Sequence, residues 1–179
     1  MNDKNYWKNK YQSKWDPAAD REKMIKDYLK QETGKKIVPS GLGTQSTEYI
    51  SGSASENGFR KGDPDLQVED TNIYIEVTGP LSIRVGEKAG LCFRPDKIEN
   101  AYDNKDEHDT WLLHHLPKND LIRVIQLDDE FFEEYKRDAF KIVKPIIDKS
   151  TETYVEIEST SKFIKSVEEL IKHIKESLV

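Results

Sequence analysis

The segment from Gly62 to Gly79 (Gly-Asp-Pro-Asp-Leu-Gln-Val-Glu-Asp-Thr-Asn-Ile-Tyr-Ile-Glu-Val-Thr-Gly) constrains the fold more than any other stretch. Two runs, 65–69 and 73–79, flank Asp70-Thr71-Asn72, whose residue types favour turns, so the segment predicts a β-hairpin. A turn centred on Asp70 and Thr71 sets Asp65 opposite Glu76, Gln67 opposite Tyr74 and Asp63 opposite Thr78. Successive strand side chains alternate, so Pro64, Leu66, Val68, Ile73, Ile75 and Val77 share the other face. One face is apolar and has to be buried. The other carries the oxygens, with Asp65 and Glu76 as direct neighbours at a Cβ separation of about 4.5–5.5 Å, where two carboxylates repel unless a cation lies between them.

The rest of the chain predicts helices around such a hairpin. Asp16 and Pro17 read as the cap and first turn of a helix to about Glu32, with Met24, Ile25, Tyr28 and Leu29 as its buried stripe and Gly34 as its end. Lys36–Pro39 is a strand candidate, and the glycine- and serine-rich stretch 40–62 holds another at 48–51. A loop over 80–93 leads to a helix at about 95–104. Strands at 111–116 and 121–127 follow, joined by Pro117-Lys118-Asn119-Asp120, and then a charged helix at about 129–140. A strand at 154–158 and a helix at 166–178, with Val167, Leu170, Ile171 and Ile174 at helical spacing, close the order. The expectation is a single α/β domain over 17–179, preceded by a basic, aromatic arm at 1–16. Its architecture is a mixed central β-sheet flanked by helices.

With 179 residues, 35% of them hydrophobic and 35% charged, the chain suits one domain with a thin core. No apolar run is long enough to cross a bilayer, and the N-terminus lacks the apolar core of a signal peptide, so a cytoplasmic protein without membrane contact is expected. Cys92 is the only cysteine. It has no disulfide partner and no thiol partner for zinc, which leaves oxygen as the ligand for any metal. The net charge of −6 weighs against nonspecific attraction to a polyanion. The charge is uneven, however: the arm holds Lys4, Lys8, Lys10 and Lys14 beside Trp7 and Trp15, whereas 128–135 is an acidic block.

A hard divalent ion such as Mg²⁺ prefers carboxylate and water oxygens, so facing Asp65 and Glu76 could hold one. Spacing alone leaves open a strand-entry turn at Asp63-Pro64-Asp65 and a solvated Glu76. Other motifs are weaker. His114 and His115 are successive strand residues pointing to opposite faces, so the pair cannot chelate one metal, and Gly41-Leu42-Gly43-Thr44 lacks the lysine of a phosphate loop.

Pro64-Asp65 at a strand start, followed by Glu76-Val77-Thr78 in an apolar strand, resembles the PD-(D/E)XK nuclease superfamily, and the element order over about 17–140 resembles its restriction-endonuclease-like core. The C-terminal extension 141–179 is outside that likeness. The resemblance implies Asp65, Glu76 and the Val77 carbonyl as metal ligands, with Asp63 behind them. Glu22, on the same helix side as Ile25 and Leu29, matches the acidic residue that many members place on the first helix. Thr78 stands where the family has lysine. Threonine supplies no positive charge to a developing phosphorane, and the resemblance implies a lysine from the next helix instead, Lys97. Arg84, Lys88 and Arg94 are then candidates for nucleic-acid binding. The implied activity is hydrolysis of DNA by an endonuclease of restriction or defence type using Mg²⁺, for which Mn²⁺ can substitute. The resemblance admits a homodimer. Two rival readings stay open: an inactive member of the fold that binds DNA or protein, and a metal-dependent hydrolase of another substrate.

Overall fold

The computed structural model describes the backbone of residues 4–41, 62–147 and 149–177, with side chains from residue 17 onward in these ranges, Ile147 excepted. Helix α1 spans Lys4–Thr33. It starts ahead of the predicted cap at Asp16 and runs through Pro17, which has no N–H to give, so the helix crosses this position one backbone hydrogen bond short. Gly34 ends it with φ 70°, donating its N–H to Lys30 O at 2.9 Å. The buried stripe is narrower than predicted. Ile25 and Leu29 are fully buried, whereas Met24, about 100° round the helix from Ile25, is 40% exposed.

Strands β1 (Ile37–Pro39), β2 (Leu66–Val68) and β3 (Ile73–Thr78) pair antiparallel in sequence. The β2–β3 register is Leu66↔Ile75 and Gln67↔Tyr74, as the alternation predicts. Asp70 takes the left-handed conformation at φ 61°, and Thr71 N–H closes the turn on Val68 O at 3.1 Å. The strand expected at 48–51 and the Gly41-Leu42-Gly43-Thr44 stretch beyond Gly41 lie outside the described residues.

Strand β4 (Leu91–Phe93) forms within the predicted loop, because Leu91 and Phe93 alternate into a core against the strand at Tyr154–Ile157. Helix α2 (Pro95–Asp103), β5 (Asp109–Leu116), β6 (Leu121–Gln126) and α3 (Asp129–Lys136) follow. Asp128 caps α3 by accepting Phe131 N–H at 2.9 Å. The helix stops short of the predicted Phe140, since Asp138 turns left-handed at φ 54°. The C-terminal part holds β7 (Lys141–Val143), β8 (Ile146–Ile147), β9 (Ser150–Thr151), β10 (Tyr154–Ile157), β11 (Lys165–Ser166) and α4 (Val167–Glu176). Glu169 caps α4 by accepting Ser166 N–H at 3.0 Å.

Among the described residues the main sheet has the order β1-β2-β3-β5-β6-β11, and β4-β10-β7 form a smaller antiparallel sheet. The fold is mixed α/β, because β3 and β5 are parallel while the other pairs are antiparallel. Strand alternation builds two cores. Ile73, Ile75, Val77, Trp111, Leu113 and Val124 pack with α1 and α4 on one face. Leu112 and Ile125 pack on the opposite face with Ile98 and Ala101 of α2, Phe131 and Phe132 of α3, and the smaller sheet. No helix among the described residues is long and apolar enough to cross a membrane.

Gly79 sits where β3 ends, at φ 145°, and a Cβ there would lie 2.1 Å from His115 O. Gly79→Ala should therefore lower the unfolding free energy by about 2–4 kcal/mol through combined strain and overlap with backbone. Urea denaturation followed by circular dichroism measures this, and a loss under about 0.5 kcal/mol, the range of an ordinary surface substitution, would contradict the constraint.

Candidate functional site

Because Ile73, Ile75 and Val77 occupy the α1 face, Glu76 points to the opposite side of the sheet, toward α2. Asp65 stands at the entry to β2, where its Oδ2 accepts the N–H of Val77 at 2.9 Å. Helix α2 sends Lys97 to the same place. Its Nζ is 2.8 Å from Glu76 Oε2 and also donates to the carbonyl of Asp63 at 2.8 Å. The contact with Glu76 is a close ion pair, and the Lys97 ammonium is the charged partner of the buried Oε2. Asn100, one turn after Lys97, donates to Asp63 Oδ1 at 3.2 Å. The Asp63-Pro64-Asp65 turn is thus pinned to α2 from both its carbonyl and its side chain.

Burial dominates the electrostatics here. It pushes Glu76 well above the usual carboxylate range, the neighbouring Asp65 charge pushes the same way, and Lys97 opposes both. Asp65 is also raised by burial, against Lys97 and the Val77 N–H. Burial by itself would depress Lys97, but Glu76 and Asp65 outweigh it and hold the ammonium above its ordinary value. With both carboxylates ionised the trio carries one net negative charge. Among the described residues no three His, Cys, Asp or Glu side chains converge as a metal cluster. Two carboxylates and a backbone carbonyl are a donor set that fits a hard ion completing its shell with water, not zinc.

Of the other predicted residues, Asp63 is hydrogen-bonded to this cluster through Lys97. Glu22 is buried, 5% exposed, one turn before Ile25 on the α1 face that packs on the sheet. Thr78 ends β3 beside His114. Arg84 and Lys88 are exposed on the loop after β3. Arg94 is exposed and forms a bidentate pair with Asp96, at 3.0 and 2.7 Å. The side chains of the arm at 1–16 lie outside the described residues. His114 and His115 are both buried and separately engaged, with Arg123 and Asp120 respectively. Burial and the Arg123 charge push His114 down to about 3, so its Nδ1 is free to accept from Arg123.

Two arginines escaped the sequence reading. Arg21 of α1 donates to the carbonyls of Gly79, at 2.6 Å, and Pro80. Arg123 of β6, 6% exposed, donates to the carbonyls of Glu87 and Ala89, both at 3.0 Å. Together they clamp both ends of the loop after β3. A cation alternating with Ile122 and Val124 inside an apolar strand is a signal that could have marked Arg123.

The sequence matches no protein-family model and no curated protein. Among solved structures the chain is similar to a nuclease from a fusselovirus, at 15% identity over 88% of this chain and 87% of that one, with a TM-score of 0.45. It is also similar to Hjc, a Holliday junction resolvase from the archaeal hyperthermophile Archaeoglobus fulgidus, at 12% identity over 85% and 98% of the two chains, with a TM-score of 0.47.

The raised Glu76 value has a consequence for stability. The folded state holds this proton more tightly than the unfolded chain does, so the cost of ionising it is absent below the ordinary 4.5, grows as pH rises above that, and is complete above the raised value. In chelator, Glu76→Gln should melt at or above the wild-type temperature near neutral pH, with the gap closing below about pH 4.5. Thermal melts at the two pH values check this, and a variant that melts lower at neutral pH refutes it.

Proposed function

We propose that this protein is a divalent-metal-dependent nuclease that hydrolyses DNA phosphodiester bonds at the Asp65–Glu76–Lys97 cluster, an endonuclease of restriction or defence type. The observation that carries the reading is the Lys97 ammonium 2.8 Å from Glu76, delivered by α2 although Thr78 occupies the usual lysine position. A buried and a half-buried carboxylate beside one lysine contribute little to stability. Burial of charge costs free energy that an ion pair offsets only in part, and perturbed groups of this kind cluster at functional sites.

Asp65, Glu76 and the carbonyl of Val77 are the residues that would hold Mg²⁺, or Mn²⁺ in its place. The fit rests on the chemistry of the donor set, hard oxygens beside which Lys97 leaves an excess of one negative charge when both carboxylates are ionised. Bound there, the ion supplies Lewis-acid charge to the scissile phosphate. The protein's own residues do the rest. Lys97 stays protonated and offers a positive donor to the phosphate oxygens as negative charge builds on them. Asp63, held by Asn100, fixes the turn that sets Asp65 in place. Glu22 is the further acidic group we assign to the site, because it follows Arg21, whose guanidinium binds the Gly79 and Pro80 carbonyls at the end of β3. Arg84, Lys88 and Arg94 supply positive charge for DNA on a chain whose net charge is −6. A cytoplasmic homodimer that addresses both strands completes the reading.

Cleavage of single-stranded, duplex and branched DNA in Mn²⁺ is the direct test. Asp65→Ala and Glu76→Ala should abolish it. Lys97→Ala should slow it by roughly 10²–10³-fold with little change in metal affinity, the loss typical of one transition-state donor. Adding Thr78→Lys to that variant should recover part of the rate. Wild-type rates from Asp65→Ala or Glu76→Ala would remove the site; a wild-type protein that binds DNA and metal without cutting would leave a binding module of the same fold.

A further inference from the structure

The loop that leaves β3 exposes two large aliphatic side chains close together. Leu81 is 53% exposed and Ile83 is 69% exposed, and of the large hydrophobics exposed among the described residues only these two are so close in the chain. The loop is not slack. Arg21 grips its start at the Gly79 and Pro80 carbonyls, and Arg123 grips its end at Glu87 and Ala89. Between the clamps, Arg84 N–H donates to Ser82 Oγ at 3.2 Å and Val85 N–H to Ser82 O at 3.3 Å, which gives the tip a turn of its own. Aliphatic groups held out in water by a braced turn cost free energy in the isolated protein, so they point to something that covers them.

Charge selects the partner. Arg84 directly follows Ile83 in sequence, Lys88 comes four residues later, and Lys118 Nζ comes within 4.0 Å of where a Cβ on Gly86 would lie. Against these three cations the loop carries one acidic residue, Glu87. Local positive charge of this kind on a chain of net charge −6 fits a polyanion. Apolar side chains flanked by phosphate-binding cations are the means by which proteins pry open base steps. The position agrees with that use. Leu81 is five residues past Glu76, so at most about 17 Å of chain, or about five nucleotide steps, separates the tip from the carboxylates.

Building on the nuclease reading above, we propose that the 81–88 loop contacts DNA at an unstacked base step, as at a fork, flap or gap. Leu81 and Ile83 pack on the exposed bases, and Arg84, Lys88 and Lys118 hold the flanking phosphates. The preferred substrate is then interrupted DNA and not continuous duplex, with cuts falling within about five nucleotides of the interruption.

Binding in chelator separates this from the question of cleavage. The full-length protein is titrated against a continuous duplex and a branched DNA of the same arm sequences, with 2-aminopurine at the branch as a probe of unstacking. Wild type should bind the branched DNA more tightly and raise the probe's emission. Leu81→Ser/Ile83→Ser, exposed positions whose fold is checked by circular dichroism, should lose the emission change. The variant should also lose affinity for branched DNA by about tenfold, as expected when a partly buried aliphatic contact is removed. Arg84→Ala/Lys88→Ala should weaken both DNAs together and flatten the salt dependence. A double serine variant that keeps the preference, or a wild type with none, overturns the proposal. So does a wild type that binds neither DNA, which would assign the tip to a protein partner. Branch binding without cleavage in Mn²⁺ would uphold the loop contact and overturn the nuclease reading. Cleavage without branch preference would do the reverse.

Discussion

The parallel pairing of β3 with β5, from Ile73↔Asp109 to Thr78↔His114, is the constraint on which the rest depends. A parallel pair cannot be closed by a tight turn. The chain has to leave the end of β3, cross one face of the sheet and return to the start of β5. Helix α2 lies in that crossover and packs there through Ile98 and Ala101. Glu76 projects to the same face because its neighbours Ile75 and Val77 are committed to the other. Lys97, next to Ile98, therefore meets Glu76 as a consequence of topology.

That meeting explains why two carboxylates can share a buried corner. Each is disfavoured as an anion by burial, and their mutual repulsion adds to it. The ammonium of Lys97 relieves part of this, and the Val77 N–H relieves more on the Asp65 side. What is left, with both carboxylates ionised, is an excess of one negative charge. Such a site is stabilised by added positive charge, which links metal affinity and folding free energy to the same carboxylates.

Much of this was legible in the sequence because strand alternation is a strict code. The hairpin register and the apolar face from Leu66 to Val77 follow from period and turn chemistry, whereas Lys97 is implied only by the resemblance, as the substitute for a lysine at Thr78. The smaller sheet was not legible. Strand β4 has three residues and β7 exposes most of its face, so neither carries enough periodicity to stand out from a loop, and their pairing with β10 spans more than sixty positions of chain in one case, Leu91↔Ile157. The start of α1 was missed for another reason: Pro17 reads as a helix start, yet the backbone ahead of it is already helical. Arg21 and Arg123 were missed because they bind carbonyls, and a carbonyl leaves no trace in residue identity.

This last point bears on how the protein can change. Both clamps on the loop recognise main-chain oxygens of Gly79, Pro80, Glu87 and Ala89. Apart from the glycine at position 79, which the approach of His115 O requires, the anchoring makes no demand on which side chains the loop carries. Substitutions at its tip therefore leave the scaffold and the carboxylate cluster untouched. The loop tip and the carboxylate cluster occupy separate mutational compartments, and a lineage carrying this fold can vary the one while inheriting the other unchanged.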